Sequence, residues 1–209
     1  MIFSNYFSKQ ARKPAGLYGR FYMSRVFEKG NAELNDFLFH ILSAEPADHL
    51  LEIGFGTGTL IKRIAQTMDT GFVEGIDFSK TMVAAAQKKN CGFIRNKKVN
   101  LHLGDFNTAD FPENRFDKVF TVNTIYFWEN PDVAMSKIST ILKPGGKLVI
   151  GFNEKKTMEK MPLNKTVFRY YSPRDVSDLF SSSGRFKEIE VRARQGEKNP
   201  CYCAVGIAF

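Results

Sequence analysis

The chain has 209 residues, 43% of them apolar, enough for one domain with its own core, and a formal net charge of +8. No apolar run approaches bilayer-spanning length, and the opening MIFSNYFSKQARKP lacks the continuous apolar stretch of a secretion signal. Cys91, Cys201 and Cys203 have neither zinc-like spacing nor a disulfide-framework count, so a cytoplasmic protein without a metal centre is expected.

Residues 1–30 interleave Phe3, Tyr6, Phe7, Tyr18, Phe21, Tyr22 and Phe27 with basic residues, six Lys or Arg against one Glu. Pro14 and Gly16 interrupt this arm, which predicts a helix beginning only near Leu17. A second helix follows Asn31, with apolar residues at 34, 37, 38, 41 and 42 forming one buried face. From Pro46 the pattern alternates strand and helix, the signature of a parallel sheet covered on both faces. Ser79 is placed to cap a helix running to about Lys89, and Asn130 before Pro131 to start one running to Leu142. Pro144, Gly145 and Gly146 then turn the chain into a strand over 147–152. Ser172 and Pro173 open a last helix that stops at Gly184, and 186–194 and 201–209 read as two strands joined by a polar turn. The expected organisation is a single unit, 1–45 a helical cap or arm and 46–209 an α/β core.

The run LLEIGFGTG, Leu50 to Gly58, carries the most chemistry. An apolar strand ends at Glu52 and Ile53, and Gly54, Gly56 and Gly58 then let the backbone turn and approach a ligand closely. Leu60, Ile61, Ile64, Ala65 and Met68 have helical spacing, so a helix N-terminus lies beside the loop. The next strand ends in Asp77, where a carboxylate could take both hydroxyls of a ribose through charge-assisted bonds of roughly 1.5–3 kcal/mol each. A dinucleotide fingerprint would put its third glycine at Thr59, whereas the pattern here is ExGxGxG. NAD stays open as an alternative because Asp77 would suit its ribose too.

Together, LLEIGFGTG, GIDFS at 75–79, LHLGDF at 101–106, FDKVFTVNTIYFW at 116–128 and LKPGGKLVIGF at 142–152 resemble, in order and spacing, the motifs of the class I S-adenosylmethionine-dependent methyltransferases. The resemblance covers roughly residues 46 to 209. It implies a Rossmann-like doubly wound sheet, mostly parallel with an antiparallel C-terminal hairpin and helices on both faces. It also implies that Gly54, Gly56 and Gly58 pass beneath the amino acid portion of S-adenosyl-L-methionine, with Glu52 supporting the loop or its waters. Asp77 would hold the ribose, Phe78 and Phe106 would sandwich the adenine, Asp105 would accept from its exocyclic amine, and Asn123 would lie near the methionine moiety. Each has a plainer reading: Asp77 as a strand-end turn residue, Asp105 as a loop cap, Phe106 as ordinary core.

The expected reaction is methyl transfer to oxygen or nitrogen of a small-molecule acceptor by in-line displacement, which rests on positioning and excluded water rather than on a dedicated catalytic residue. Tyr126 and Trp128 are the candidates nearest the chemistry, able to orient the acceptor or wall its pocket. In the family the arm and the insertion after the fifth strand roof that pocket, here 1–45 and 153–172, which adds Tyr18, Arg20, Tyr22, Arg169, Tyr170 and Tyr171. The arginines would suit an anionic group on the acceptor. His40, His49 and His102 occupy no recognised acceptor position. NTIYFW lacks the two prolines of amino-methylating enzymes that flip bases, which weakens that reading. The basic ends leave RNA, a protein side chain or a lipid head group at an anionic membrane surface as alternative acceptors, and a non-catalytic cofactor-binding module as a further one.

Overall fold

The computed structural model describes residues 2–16, 18–161, 163–196 and 199–209, without the side chains of Ile2, Phe3, Ser4, Arg20 and Phe27. Helix α1 (Ile2–Arg12) opens the chain, followed by a π-type turn at Tyr18–Met23, α2 (Ser24–Gly30) and α3 (Ala32–Leu42). The helix expected only near Leu17 is thus preceded by another, and Leu17 itself lies outside the described residues. The reason is an inward stripe at Phe7, Ser8 and Ala11, two of them separated by one helical turn, which the interruption at Pro14 had obscured. Gly16 turns the chain at φ +62°, and Gly19 lies so close to Pro14 that a Cβ there would stand 2.8 Å from its carbonyl carbon.

The core then alternates β1 (His49–Ile53), α4 (Thr59–Ala65), β2 (Phe72–Asp77), α5 (Lys80–Lys89), α6 (Cys91–Arg95), β3 (Val99–Leu103), β4 (Phe116–Val122), α7 (Pro131–Ile141) and β5 (Leu142–Asn153). After it come α8 (Lys155–Met158), α9 (Pro173–Ser182), β6 (Phe186–Gln195) and β7 (Pro200–Ala208). The cap residues behave as their chemistry requires. Ser79 accepts from Met82 N, Asn130 from Val133 N, and Ser172 forms a reciprocal capping box with Asp175.

Among the described residues the strands form one sheet in the order β3-β2-β1-β4-β5-β7-β6, with β7 antiparallel to both neighbours. Strand β5 is longer than its expected 147–152 because Leu142 already pairs with Phe116 before the register shifts. Lys143 to Gly146 bulge out opposite Asp117, whose carboxylate holds Lys143 Nζ at 2.7 Å.

Alternation along the strands fills both faces. Leu51, Val119, Leu148 and Ile150 pack with α7 and α9 on one side, while Leu50, Phe120, Val149 and Cys203 pack with α3 and α4 on the other. Cys201 and Cys203 are buried in that second layer, so the pair is core. Parallel order reverses between β1 and its neighbours β2 and β4, which opens a crevice at the carboxyl ends of these strands.

Candidate functional site

A cavity of about 330 Å³ occupies that crevice, a volume in the range of small-ligand sites. Its floor comes from the ends of β1, β2 and β4, and its other walls from the cap and from the segment after β5.

The glycine loop leaves β1 with φ of +72°, +53° and +68° at Gly54, Gly56 and Gly58. Each glycine is needed for a different reason. At Gly54 a Cβ would collide with the Thr124 side chain, and at Gly58 it would stand 2.8 Å from both Ala86 Cβ and Asn90 Nδ2. At Gly56 a Cβ meets no atom of the other described residues within 4 Å. Gly54 and Gly56 line the cavity, whereas Gly58 serves the packing of α4 against α5.

Asp77 organises this loop. Its Oδ2 accepts from Gly56 N at 2.9 Å and its Oδ1 from Ser79 N at 2.8 Å. Burial pushes its pKa up to about 6 against the opposing pull of those two bonds. Glu52, 3% exposed, is pushed up to about 8 by burial and then by the charge of Asp77. Its Oε2 has no hydrogen-bond partner among the described residues. Phe78, Asp105 and Phe106 line the same end of the cavity. Phe106 is buried beneath Lys137, Lys13 stands 5.3 Å over the Phe78 ring, and Asp105 is exposed with Oδ1 accepting from Asn107 N.

At the other end a polar cluster crosses the floor. Asn123, in the left-handed region at φ +55°, donates from Nδ2 to Asn31 Oδ1 at 3.0 Å. Its Oδ1 accepts from Asn153 Nδ2 at 3.2 Å and from the Tyr126 hydroxyl at 2.8 Å. That hydroxyl in turn accepts from Asn153 N at 2.6 Å. Burial raises the Tyr126 pKa well above the phenol range. Trp128 is buried and, with Phe7, Met23, Val26, Phe127, Met158 and Phe168, gives the cavity apolar walls. Neither the Asn31 and Asn153 contacts nor these methionines belong to a motif visible in the sequence. Their signal was limited to membership of the two roofing segments.

Of the expected acceptor-pocket residues, Tyr126 and Trp128 line the cavity, whereas Tyr18, Tyr22, Arg169, Tyr170 and Tyr171 do not. Tyr18 stacks on Tyr22 on the cap, Arg169 is exposed, and Tyr171 is buried in the sheet-side core. The Arg20 side chain lies outside the described residues. Arg12 reaches the cavity but is paired with Glu129 at 2.8 Å, and Glu28 is paired with Lys89. Among the described residues the lining contains no histidine, lysine or cysteine. His40 is exposed near Asp36, His49 begins β1, and His102 is paired with Glu74 at 2.7 Å.

Comparison with known proteins gives this geometry a context. A family model described as a methyltransferase domain matches residues 51–150. An uncharacterized methyltransferase of Bacillus subtilis, YdaC, is 26% identical over 174 residues, which span 83% of this chain and 91% of that protein. Phosphoethanolamine N-methyltransferase 2 of Caenorhabditis elegans is 26% identical over 166 residues, 72% of this chain but only 38% of that protein. In fold, the chain is similar to a SAM-dependent methyltransferase from Aquifex aeolicus, with a TM-score of 0.70 and 22% identity over 86% of this chain and 93% of the other.

Proposed function

The chain belongs to the class I S-adenosylmethionine-dependent methyltransferases, and we propose that its acceptor is a small molecule with an apolar body, methylated at oxygen or nitrogen. The cofactor supplies a methyl group on a sulfonium, whose thioether departs without a proton. What this chain must supply is binding, alignment and exclusion of water.

Two observations fit the residues to that cofactor. Among the described residues the buried Glu52 Oε2 lacks a partner beside Asp77, and Gly56 leaves open space where any other residue would place a Cβ. In this reading Asp77 holds the ribose hydroxyls while keeping Gly56 in place. Glu52, protonated at neutral pH, donates to a water or a cofactor group at the loop. Phe78 and Phe106 flank the adenine, Asp105 accepts from its amine, and the Asn123 side chain borders the methionine end.

The acceptor reading rests on the lining. Near Asn123 the walls are Phe7, Met23, Phe127, Trp128, Met158 and Phe168, and the described lining cation, Arg12, is already neutralised by Glu129. A free anionic group placed there would be desolvated without an unpaired cation among the described lining residues to offset its charge, which is unfavourable. The names of relatives do not choose, since they include a quinone methyltransferase and a phosphoethanolamine methyltransferase. Tyr126 is not available as a base because burial keeps it a neutral phenol, its one proton lying between Asn123 Oδ1 and Asn153 O. The acceptor atom therefore attacks without prior help from this phenol, as a neutral amine can, whereas a hydroxyl acceptor has to lose its proton to a group other than Tyr126.

Release of S-adenosylhomocysteine measured with matched pairs of acceptors, each an apolar amine or phenol and its carboxylated analogue, tests the reading. Preferential turnover of the uncarboxylated member supports it. Preference for the carboxylated member, or turnover only with RNA, overturns it.

A further inference from the structure

The cap carries a second surface that the reaction does not use. Helix α1 turns Phe7 and Ala11 to the cavity and buries Ser8, whose Oγ accepts from Asn164 N, while Tyr6 and Lys9 face outward. Tyr6 meets Tyr18 at a ring separation of 5.3 Å, and Tyr18 stacks on Tyr22 at 4.8 Å. The outer side of α1 thereby continues onto the π-type turn as one aromatic surface. Tyr6, Phe21 and Tyr22 are 47%, 64% and 50% exposed.

Cations accompany these rings at one-turn spacing: Lys9 follows Tyr6, and Arg25 follows Tyr22 and Phe21. Both are exposed, as is Lys29 at the end of α2. An aromatic surface edged by Lys9, Arg25 and Lys29, with the neighbouring Glu28 held by Lys89, matches a bilayer with anionic head groups, where phosphates meet the cations and Tyr and Phe rings settle at the interfacial level. Of the ring faces that single-stranded RNA would need for its bases, one on Tyr18 and one on Tyr22 are taken by the stack between them.

We propose that the outer face of the cap, centred on Tyr6, Phe21 and Tyr22 with Lys9, Arg25 and Lys29, docks on an anionic lipid surface. The opposite side of α1 is a wall of the cavity, so docking would hold that wall against the head-group layer. This inference is independent of which acceptor the cavity takes.

Co-sedimentation of the full chain with vesicles of phosphatidylcholine, alone or mixed equally with phosphatidylglycerol, tests it. The expected result is partition into the anionic vesicles about tenfold or more above the neutral ones, weakened by salt. Lys9→Glu with Arg25→Glu should abolish the difference, and Phe21→Ser alone should weaken binding at unchanged net charge. Circular dichroism and S-adenosylmethionine affinity are expected to stay as in the parent chain, separating lost docking from lost folding. Equal binding to both vesicle types, no binding to either, or variants that bind like the parent would overturn the proposal. Displacement from anionic vesicles by a mixed-sequence RNA that the protein binds more tightly would also overturn it, in favour of a nucleic-acid surface.

Discussion

The Tyr126 hydroxyl donates to Asn123 Oδ1 across 2.8 Å, joining the turn after β4 to the strand end that forms the cavity floor. Because Asn153 N donates to the same hydroxyl, a single phenol satisfies two neighbouring segments. Tyr126→Phe leaves Asn153 N without that acceptor in a buried setting, so unfolding by urea should show a loss of about 1–3 kcal/mol. Methyl transfer by this variant should keep the pH dependence of the parent, since the phenol does not titrate in the working range. A lost alkaline limb would make Tyr126 a base after all.

Gly56 and Gly58 should respond differently to the same substitution. Gly58→Ala drives a methyl into Ala86 and Asn90 and should lower the melting temperature strongly, by roughly 2–4 kcal/mol in stability, combining overpacking with backbone strain. Gly56→Ala meets no atom of the other described residues and should cost only about 1–2 kcal/mol of backbone strain. Its larger effect should be on S-adenosylmethionine binding, read by calorimetry. Equal melting losses for the two variants would mean the loop is packed alike at both positions.

Glu52 gives the apo protein a pH dependence of definite sign. Its folded pKa of about 8 lies above the carboxyl value of an unfolded chain, so the folded state binds the extra proton between them. Stability from this group is full below about pH 4.5 and falls as pH rises to about 8. Glu52→Gln should therefore stabilise the apo protein relative to the parent at pH 8, by roughly 2–5 kcal/mol, with little difference near pH 4.5. A pH-independent difference in melting would remove the assignment of a buried, protonated carboxyl.

The succession of strands and helices along the core, the glycine loop and the caps at Ser79, Asn130 and Ser172 could be read from the sequence because each is a local signal. Apolar runs of strand length, φ-permissive glycines and side chains that satisfy helix N-termini act within a few residues of themselves. Helix α1 was not legible, since its inward stripe of Phe7, Ser8 and Ala11 becomes a helix face only once a cavity wall exists to receive it. The Asn31–Asn123 contact spans 92 positions and leaves no periodic trace. Tyr18, Tyr170 and Tyr171 looked like pocket residues because they belong to roofing segments, but membership of a roof does not say which side of it a ring takes.

Asp77 ties cofactor and loop together, so its removal affects both. Asp77→Ala leaves Gly56 N and Ser79 N without their acceptor, predicting a loss of about 1–3 kcal/mol in stability alongside the loss of cofactor. Chemical denaturation of the apo variant checks the first part. Stability equal to the parent would mean those two amides find other partners.

Calorimetric titration of the parent chain and of Asp77→Ala with S-adenosylmethionine, S-adenosylhomocysteine and NAD tests the cavity assignment most directly. The parent should bind the first two and not NAD, and the variant should bind none while circular dichroism still shows it folded. NAD binding alone, or an Asp77→Ala protein that keeps its affinity for S-adenosylmethionine, would contradict the assignment.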